Sequence, residues 1–279
     1  MSAPVQEHYG SGDIVARILA AVPWSESTDV NLTASQLFPF DQLHGRELLA
    51  TRDHAARLNP QRGAHLLDIG SGIGGPARFF AGTLGCRVTG IDLTPDFVEA
   101  ANDLTRLCGL MDQVNFIEGD AVSMPFGANT FDHAYCFYVG MNLRDKPAVF
   151  GECFRVLKPG ATLLWTEVTS GSGVPHYPLP WSRTADDSHV DASGTLVHHL
   201  SGAGFEVLTV EDETDAHLEM AKRMRLSAKP PSVGQIQANE VVLGPDFVGR
   251  RQNYLKSLDE HRIASTLLVA RKPPVEHTT

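Results

Sequence analysis

The sequence predicts an α/β protein with a doubly wound, mostly parallel, seven-stranded sheet, and three observations carry that prediction. From residue 64 onward, short apolar runs alternate with helical periodicities, which is the pattern of βαβ units. The first run, Leu66-Leu67-Asp68-Ile69, opens into Gly70-Ser71-Gly72-Ile73-Gly74-Gly75-Pro76, which reads as strand, tight turn and helix start. Acids follow three successive strands, as Asp68, Asp92 and Asp120. The 279 residues would allow two domains, but one elaborated domain fits the order better.

Two helices are expected before the sheet. Ile14, Val15, Ile18, Leu19 and Val22 recur at helical spacing until Pro23, and a second helix is expected from about His44 to Leu58, stopped by Asn59-Pro60. The stretch from Ser25 to Asp41 between them reads as a loop. Strand one is Ala64 to Ile69, with its helix from Pro76 to about Leu84; strand two is Arg87 to Ile91, with a helix from Pro95 to Cys108. Strand three is Val114 to Glu118 and strand four Phe131 to Phe137, followed by a helix near Pro147 to Leu157. Lys158-Pro159-Gly160 reads as the turn into strand five, Ala161 to Val168. The segment Thr169 to Asp191 is too long and too rich in Gly, Pro and Ser for an ordinary connection. A helix from Ser193 to Ala203 and a strand from Phe205 to Val210 restore the alternation. Helices over Asp215 to Lys229 and Pro245 to Leu258 precede a last strand, Ile263 to Arg271, and Pro273 to Thr279 reads as a tail. The domain reading is therefore a helical cover over residues 1–62 and a main domain over 63–279, with lid insertions at about 169–191 and 214–260.

A net charge of −10 argues against nucleic acid or an anionic membrane surface as the main partner. The cysteines Cys86, Cys108, Cys136 and Cys153 form no C-x-x-C pair, and His198-His199 lacks a third ligand, so neither a disulfide framework nor a metal site is expected. No long apolar run and no leader pattern occur, which reads as a cytoplasmic protein. The expected partner is a small-molecule substrate, with a homodimer as one option for assembly.

The chemistry should lie outside the carboxyl ends of the strands. Glycines at 70, 72 and 74 allow positive φ and let a ligand come against the backbone. Gly70, Gly72 and Gly75 also satisfy the dinucleotide fingerprint, so a nicotinamide-dependent oxidoreductase stays open at this point. The acids weigh the other way. A carboxylate after strand two suits a ribose diol, and Asp120 suits an exocyclic amine. A dinucleotide brings a pyrophosphate to the helix N-terminus, whereas acids around the rim suit a ligand with positive charge.

The ordered motifs resemble those of the class I S-adenosylmethionine-dependent methyltransferases. They are Leu67-Asp68-Ile69-Gly70-Ser71-Gly72-Ile73-Gly74, Gly90-Ile91-Asp92-Leu93-Thr94, Gly119-Asp120-Ala121 with Met124-Pro125-Phe126, Thr130-Phe131-Asp132, and Arg155-Val156-Leu157-Lys158-Pro159-Gly160. His8-Tyr9-Gly10, Asp41-Gln42-Leu43-His44-Gly45, Met141-Asn142 and Pro180-Trp181 are similar to a narrower bacterial branch, the sarcosine and dimethylglycine N-methyltransferases. The resemblance implies a Rossmann-like fold, S-adenosyl-L-methionine as cofactor and methylation of a small molecule at nitrogen or oxygen. It implies cofactor contacts from Asp68, Gly70, Ser71, Gly72, Asp92, Leu93, Asp120 and Ala121, with Gln42 from the N-terminal segment and the backbone of Cys136. Asp68 either touches the ligand or holds the glycine loop.

An in-line methyl transfer needs position more than a base. Glu167, read as the end of strand five, is the favoured base, with His176 and Tyr9 as further catalytic candidates and His8 and His44 as other histidines near the site. Tyr9, Tyr138, Tyr177 and Trp181 could wall the sulfonium. A non-catalytic binding protein with the same fold is the third reading.

Overall fold

A computed structural model gives the structure of the protein over residues 14–22, 32–226 and 239–275. Helices α1 (Ile14–Ala21), α2 (Ala34–Asp41) and α3 (Glu47–Leu58) lead into β1 (His65–Ile69), α4 (Gly75–Leu84), β2 (Arg87–Asp92), α5 (Pro95–Leu107) and β3 (Val114–Glu118). β4 (Phe131–Phe137), α6 (Lys146–Val156), β5 (Leu157–Ser170), α7 (Ser193–Gly202) and β6 (Glu206–Asp212) follow, then α8 (Thr214–Leu226), α9 (Phe247–Asp259) and β7 (Ile263–Arg271).

The seven strands form one sheet in the order β3-β2-β1-β4-β5-β7-β6. Pairing is parallel from β3 to β5, and β7 runs antiparallel to both β5 and β6. The order reverses between β1 and β4, and this is where a doubly wound sheet opens a crevice. Side chains alternate across the strands and divide the core in two. Leu67, Ile69 and Trp165 face α6 and α7, whereas Leu66, Val88 and Tyr135 face α3, α4 and α5 through Phe79 and Phe80. Both sheet faces are covered, so β1 and β4 are buried along most of their length.

Most of the predicted elements are present within a residue or two, with three differences. Residues 34–41, expected as loop, form α2, and Pro39 sits in its last turn. The Thr33 N–H donates to Gln36 Oε1 at 2.9 Å, so T-x-x-Q works here as half of a capping box. Lys158-Pro159-Gly160 is not a plain turn: β5 already pairs with β4 at Leu157, and the register shifts before Thr162 meets His133. β5 also runs on to Ser170, three residues beyond Glu167. Of the helix expected over Asp215 to Lys229, α8 ends at Leu226 and residues 227–229 lie outside the described residues, as do residues 1–13, 23–31 and 276–279.

The N-terminal helices pack on the glycine turn, because Ile14, Ile18, Leu37 and Phe40 bury their side chains against Ile73, Phe97 and Leu104. A buried ion pair fixes the register of that contact. Arg78 on α4 donates through Nη2 to Asp41 Oδ2 at 3.0 Å and to the Ile73 carbonyl at 2.6 Å. Its Nη1 donates to the Ala101 carbonyl and to Thr105 Oγ1, tying in α5. Both charged side chains are fully buried. Removing one partner leaves the other as an uncompensated buried charge, so Arg78→Met is expected to cost about 3–5 kcal/mol. The denaturant midpoint reads this loss; an unchanged midpoint contradicts the assignment.

Candidate active site

A cavity of about 240 Å³ opens at the carboxyl ends of β1, β2 and β4 and runs outward beneath α3, α9 and the loop after β5. One half is built on the glycine turn. Gly70 needs its lack of a side chain twice over: its φ is +69°, and a Cβ would overlap the Val139 side chain. The Gly70 and Ser71 N–H groups are held by the Ile91 carbonyl at 2.8 and 3.1 Å, which docks the turn on β2. Asp92 closes it from the other side, accepting from the Gly72 N–H at 2.8 Å and from the Thr94 N–H at 2.9 Å. Two backbone donors use one lone pair on each oxygen, and a carboxylate still has capacity for further donors.

Among the described residues this half has an acidic lining with no cation on it. Asp68, Asp92 and Asp120 line it, whereas the arginines that line the cavity, Arg46 and Arg251, belong to its outer end. Among the described residues Ser71 Oγ and Asp68 Oδ2 are buried there without a well-formed hydrogen bond, the Tyr135 hydroxyl lying beside the Asp68 carboxyl and opposing its rise. Burial, with the Asp92 charge adding to it, pushes the Asp68 carboxyl up to about 8. Two orphaned polar atoms beside a carboxylate set fit a ligand carrying an ammonium and hydroxyl donors, as S-adenosylmethionine does. They do not fit a pyrophosphate. The third glycine of the dinucleotide fingerprint has another purpose: a Cβ on Gly75 would overlap the Asp41 backbone at the end of α2, so the space beside the α4 N-terminus is filled by the chain itself. This contact and the acidic lining weigh against the oxidoreductase reading.

The outer half is apolar and aromatic. Met141, Val168, Trp181, Leu243, Phe247 and Tyr254 line it. Tyr138 stands at the junction with a φ of +58°, an uncommon conformation for a bulky side chain. Its hydroxyl lies 2.7 Å from both His217 Nε2 and Ser265 Oγ, and Tyr254 reaches His217 Nδ1 at 3.3 Å. Behind this wall His54 and Arg46 meet Glu213 at 3.1 and 3.4 Å. Burial, with the Arg46 charge beside it, holds His217 down to about 4, so the ring is neutral at neutral pH.

The expected cofactor residues Asp68, Gly70, Ser71, Gly72, Asp92, Leu93, Asp120 and Ala121 come together on this cavity. Gln42 and Cys136 do not line it. Gln42 is buried with its amide spent on Asp41 and Thr51, and Cys136 is buried inside β4, one residue short of the strand end, so Phe137, Tyr138 and Val139 form the wall instead. Glu167 is a correction as well. It is fully buried away from the cavity, accepts from Trp165 Nε1 at 2.5 Å and lies 3.8 Å from Lys146 Nζ. Gly140 seals it, since a Cβ there would overlap the carboxylate. Burial raises the Glu167 carboxyl to about 7, opposed by Lys146, yet it reaches no ligand space. His176 sits on the surface, 2.8 Å from Glu260, and does not line the cavity. Tyr9 and His8 lie outside the described residues. His44 does line the cavity. Sequence reading missed His217 and Asn239; no motif marks either.

Residues 67–165 match a methyltransferase domain family. Methyltransferase phqN of Penicillium fellutanum is 33% identical over 165 residues, 57% of this chain and 51% of that protein. Others are sterol 24-C-, O- and phosphoethanolamine N-methyltransferases, and the chain spans about half the length of the curated relatives it matches. The [4+2]-cyclase SpnF is 26% identical, with a TM-score of 0.65, over 88% of this chain and 98% of that one. A protein described as a sarcosine dimethylglycine methyltransferase, from Galdieria sulphuraria, has a TM-score of 0.64 at 20% identity, over 82% of this chain and 86% of that one, a likeness of fold. Residues 67–165 therefore carry a methyltransferase domain, and the relatives and structural neighbours support a class I S-adenosylmethionine-dependent methyltransferase.

The raised Asp68 carboxyl makes stability pH-dependent. The ligand-free folded chain keeps a proton up to about pH 8 that the unfolded chain releases near the ordinary carboxyl value of 3.8. Stability contributed by the neutral form is therefore lost as pH rises through this window. The urea midpoint of the ligand-free protein is expected to fall between pH 6 and 8, and Asp68→Asn to flatten that fall; identical slopes for the two proteins contradict the burial argument. Glu167→Gln is expected to change stability and leave the pH profile of turnover as in the wild type, whereas loss of a limb near pH 7 restores Glu167 as a base.

Proposed function

We propose that the protein transfers a methyl group from S-adenosyl-L-methionine to a nitrogen or oxygen of a small, largely apolar acceptor. The single observation that carries this reading is the continuity of the two halves: an acidic pocket on the glycine turn opens directly into an aromatic pocket of the size of a small molecule. In this reading Gly70 and Gly72 lie against the methionine part, Asp92 holds the ribose diol, Asp120 the adenine amine, and Asp68 with Ser71 the ammonium end. The cofactor supplies an electrophilic methyl group on a sulfonium.

The chain's own residues supply position. Met141, Val168, Trp181 and Tyr254 enclose the acceptor and exclude water, and the hydrogen bonds of Tyr138 to His217 and Ser265 keep that wall in one place. A dry, fitted wall that holds the acceptor atom behind the carbon lowers the barrier through orientation. Residues 1–62 act as a helical cover of a methyltransferase domain over 63–279, with the segments at about 169–191 and 214–260 as a lid; Leu43, His44, Trp181 and Phe247 support this by lining the cavity from those segments. A cytoplasmic enzyme, alone or as a homodimer, with no nucleic-acid partner, agrees with the acidic charge, and among the described residues no helix is long and apolar enough to cross a membrane.

Asp92→Ala is expected to weaken S-adenosylhomocysteine binding by about ten- to a hundredfold, the worth of charge-assisted hydrogen bonds, as read by titration calorimetry. An unchanged dissociation constant contradicts the ribose assignment. The release of S-adenosylhomocysteine on incubation with a panel of phenols, amines and carboxylic acids tests turnover; cofactor binding without any release points instead to the non-catalytic reading.

A further inference from the structure

A chain of hydrogen bonds runs from the buried Arg78 to the cavity wall, and charge fixes its direction. The Arg78 guanidinium has only donors and gives one to Asp41 Oδ2; burial raises the Asp41 carboxyl, and the Arg78 charge opposes that rise. Gln42 turns its amide N–H to Asp41 Oδ1, at 2.9 Å, which leaves its carbonyl Oε1 toward Thr51. The Thr51 hydroxyl has one proton and donates it to Gln42 Oε1 at 2.6 Å. From His44 Nε2, 3.0 Å away, it can only accept. His44 thus carries its proton on Nε2 and a bare lone pair on Nδ1.

His44 lies flat on Phe137, with ring centroids 5.3 Å apart and planes 8° from parallel, and it lines the cavity. Its Nδ1 is buried and has no hydrogen-bond partner among the described residues. Burial, with His54, His217 and Arg46 adding to it, holds the ring down to about 3, so it stays neutral and is a poor base. A buried acceptor without a donor is uncommon and costly, and here four residues hold the one tautomer that leaves it bare. A ligand that brings a donor removes that cost.

We propose that His44 is a positioning and specificity residue for the acceptor, its bare Nδ1 accepting a hydrogen bond from an O–H or N–H at the reacting atom. The acceptor class is then a hydroxyl or an amine, and a molecule of the same shape without that donor binds less well. The inference rests on the methyltransferase reading for the identity of the reacting atom. The hydrogen bond itself can be observed without turnover.

The test uses protein labelled with nitrogen-15 histidine, saturated with S-adenosylhomocysteine and titrated with 4-ethylphenol or with ethylbenzene. Before titration, His44 is expected to show a bare Nδ1 and a protonated Nε2. 4-Ethylphenol should shift the Nδ1 resonance and bind about tenfold more tightly than ethylbenzene, the worth of one buried hydrogen bond. His44→Phe, which keeps the stack on Phe137, should abolish the difference; Thr51→Val should weaken it while S-adenosylhomocysteine affinity is retained. A protonated Nδ1, no shift with the phenol, binding of neither probe, or a preference that survives His44→Phe overturns the proposal. Loss of S-adenosylhomocysteine binding in the wild type would overturn the cofactor reading instead, and the His44 tautomer and the phenol preference can still be read in its absence.

Discussion

The buried contact between Arg78 and Asp41 is the constraint on which the rest of the site depends. A guanidinium taken out of water needs nearly all its donors met, and Arg78 meets them with groups from α2, the glycine turn and α5 at once. The pair therefore sets where α2 ends relative to the turn. That end determines why Gly75 has no side chain, where Leu43 and His44 enter the cavity wall, and why the N-terminus of α4 is closed to a phosphate. A stability device and a specificity device share one pair of charges.

Much of the glycine-turn half of the cavity was legible in the sequence because it is local. Glycine spacing, the strand before it and the acids at successive strand ends are short-range features, and eight of the residues named from them share one cavity. The failures are long-range or a matter of strand length. Glu167 reads as a strand end only if β5 stops at Val168; pairing with the antiparallel β7 carries β5 on to Ser170 and leaves Glu167 inside, under Gly140 and beside Lys146. Cys136 fails by a single residue at the end of β4. α2 lies in a stretch that reads as loop, and the structure accommodates Pro39 in its last turn, where little helix follows it. Thr33 and Gln36 were the readable signal. His217 could not be found at all: it reaches Tyr138 across 79 residues of sequence, and no local pattern encodes that meeting.

The two halves of the cavity obey different physical rules. The cofactor half depends on backbone geometry and charge, which tolerate little substitution and so read as motifs. The acceptor half depends on apolar volume contributed by the turn after β4, the loop after β5 and α9. Apolar volume can be supplied by many side chains, and a fold alone does not fix chemistry. The [4+2]-cyclase that shares this architecture illustrates the point. Substrate choice in this chain therefore has to be argued from the polar atoms on the apolar wall, the buried Nδ1 of His44 among them.

The most direct measurement of the central claim is a crystal structure of the protein with S-adenosylhomocysteine. The predicted complex has the ribose on Asp92, the adenine beside Asp120 and the sulfur turned toward the wall formed by Tyr138, Met141 and Trp181. A ligand seated elsewhere, a sulfur facing away from that wall, or failure to bind at millimolar concentration would contradict the account.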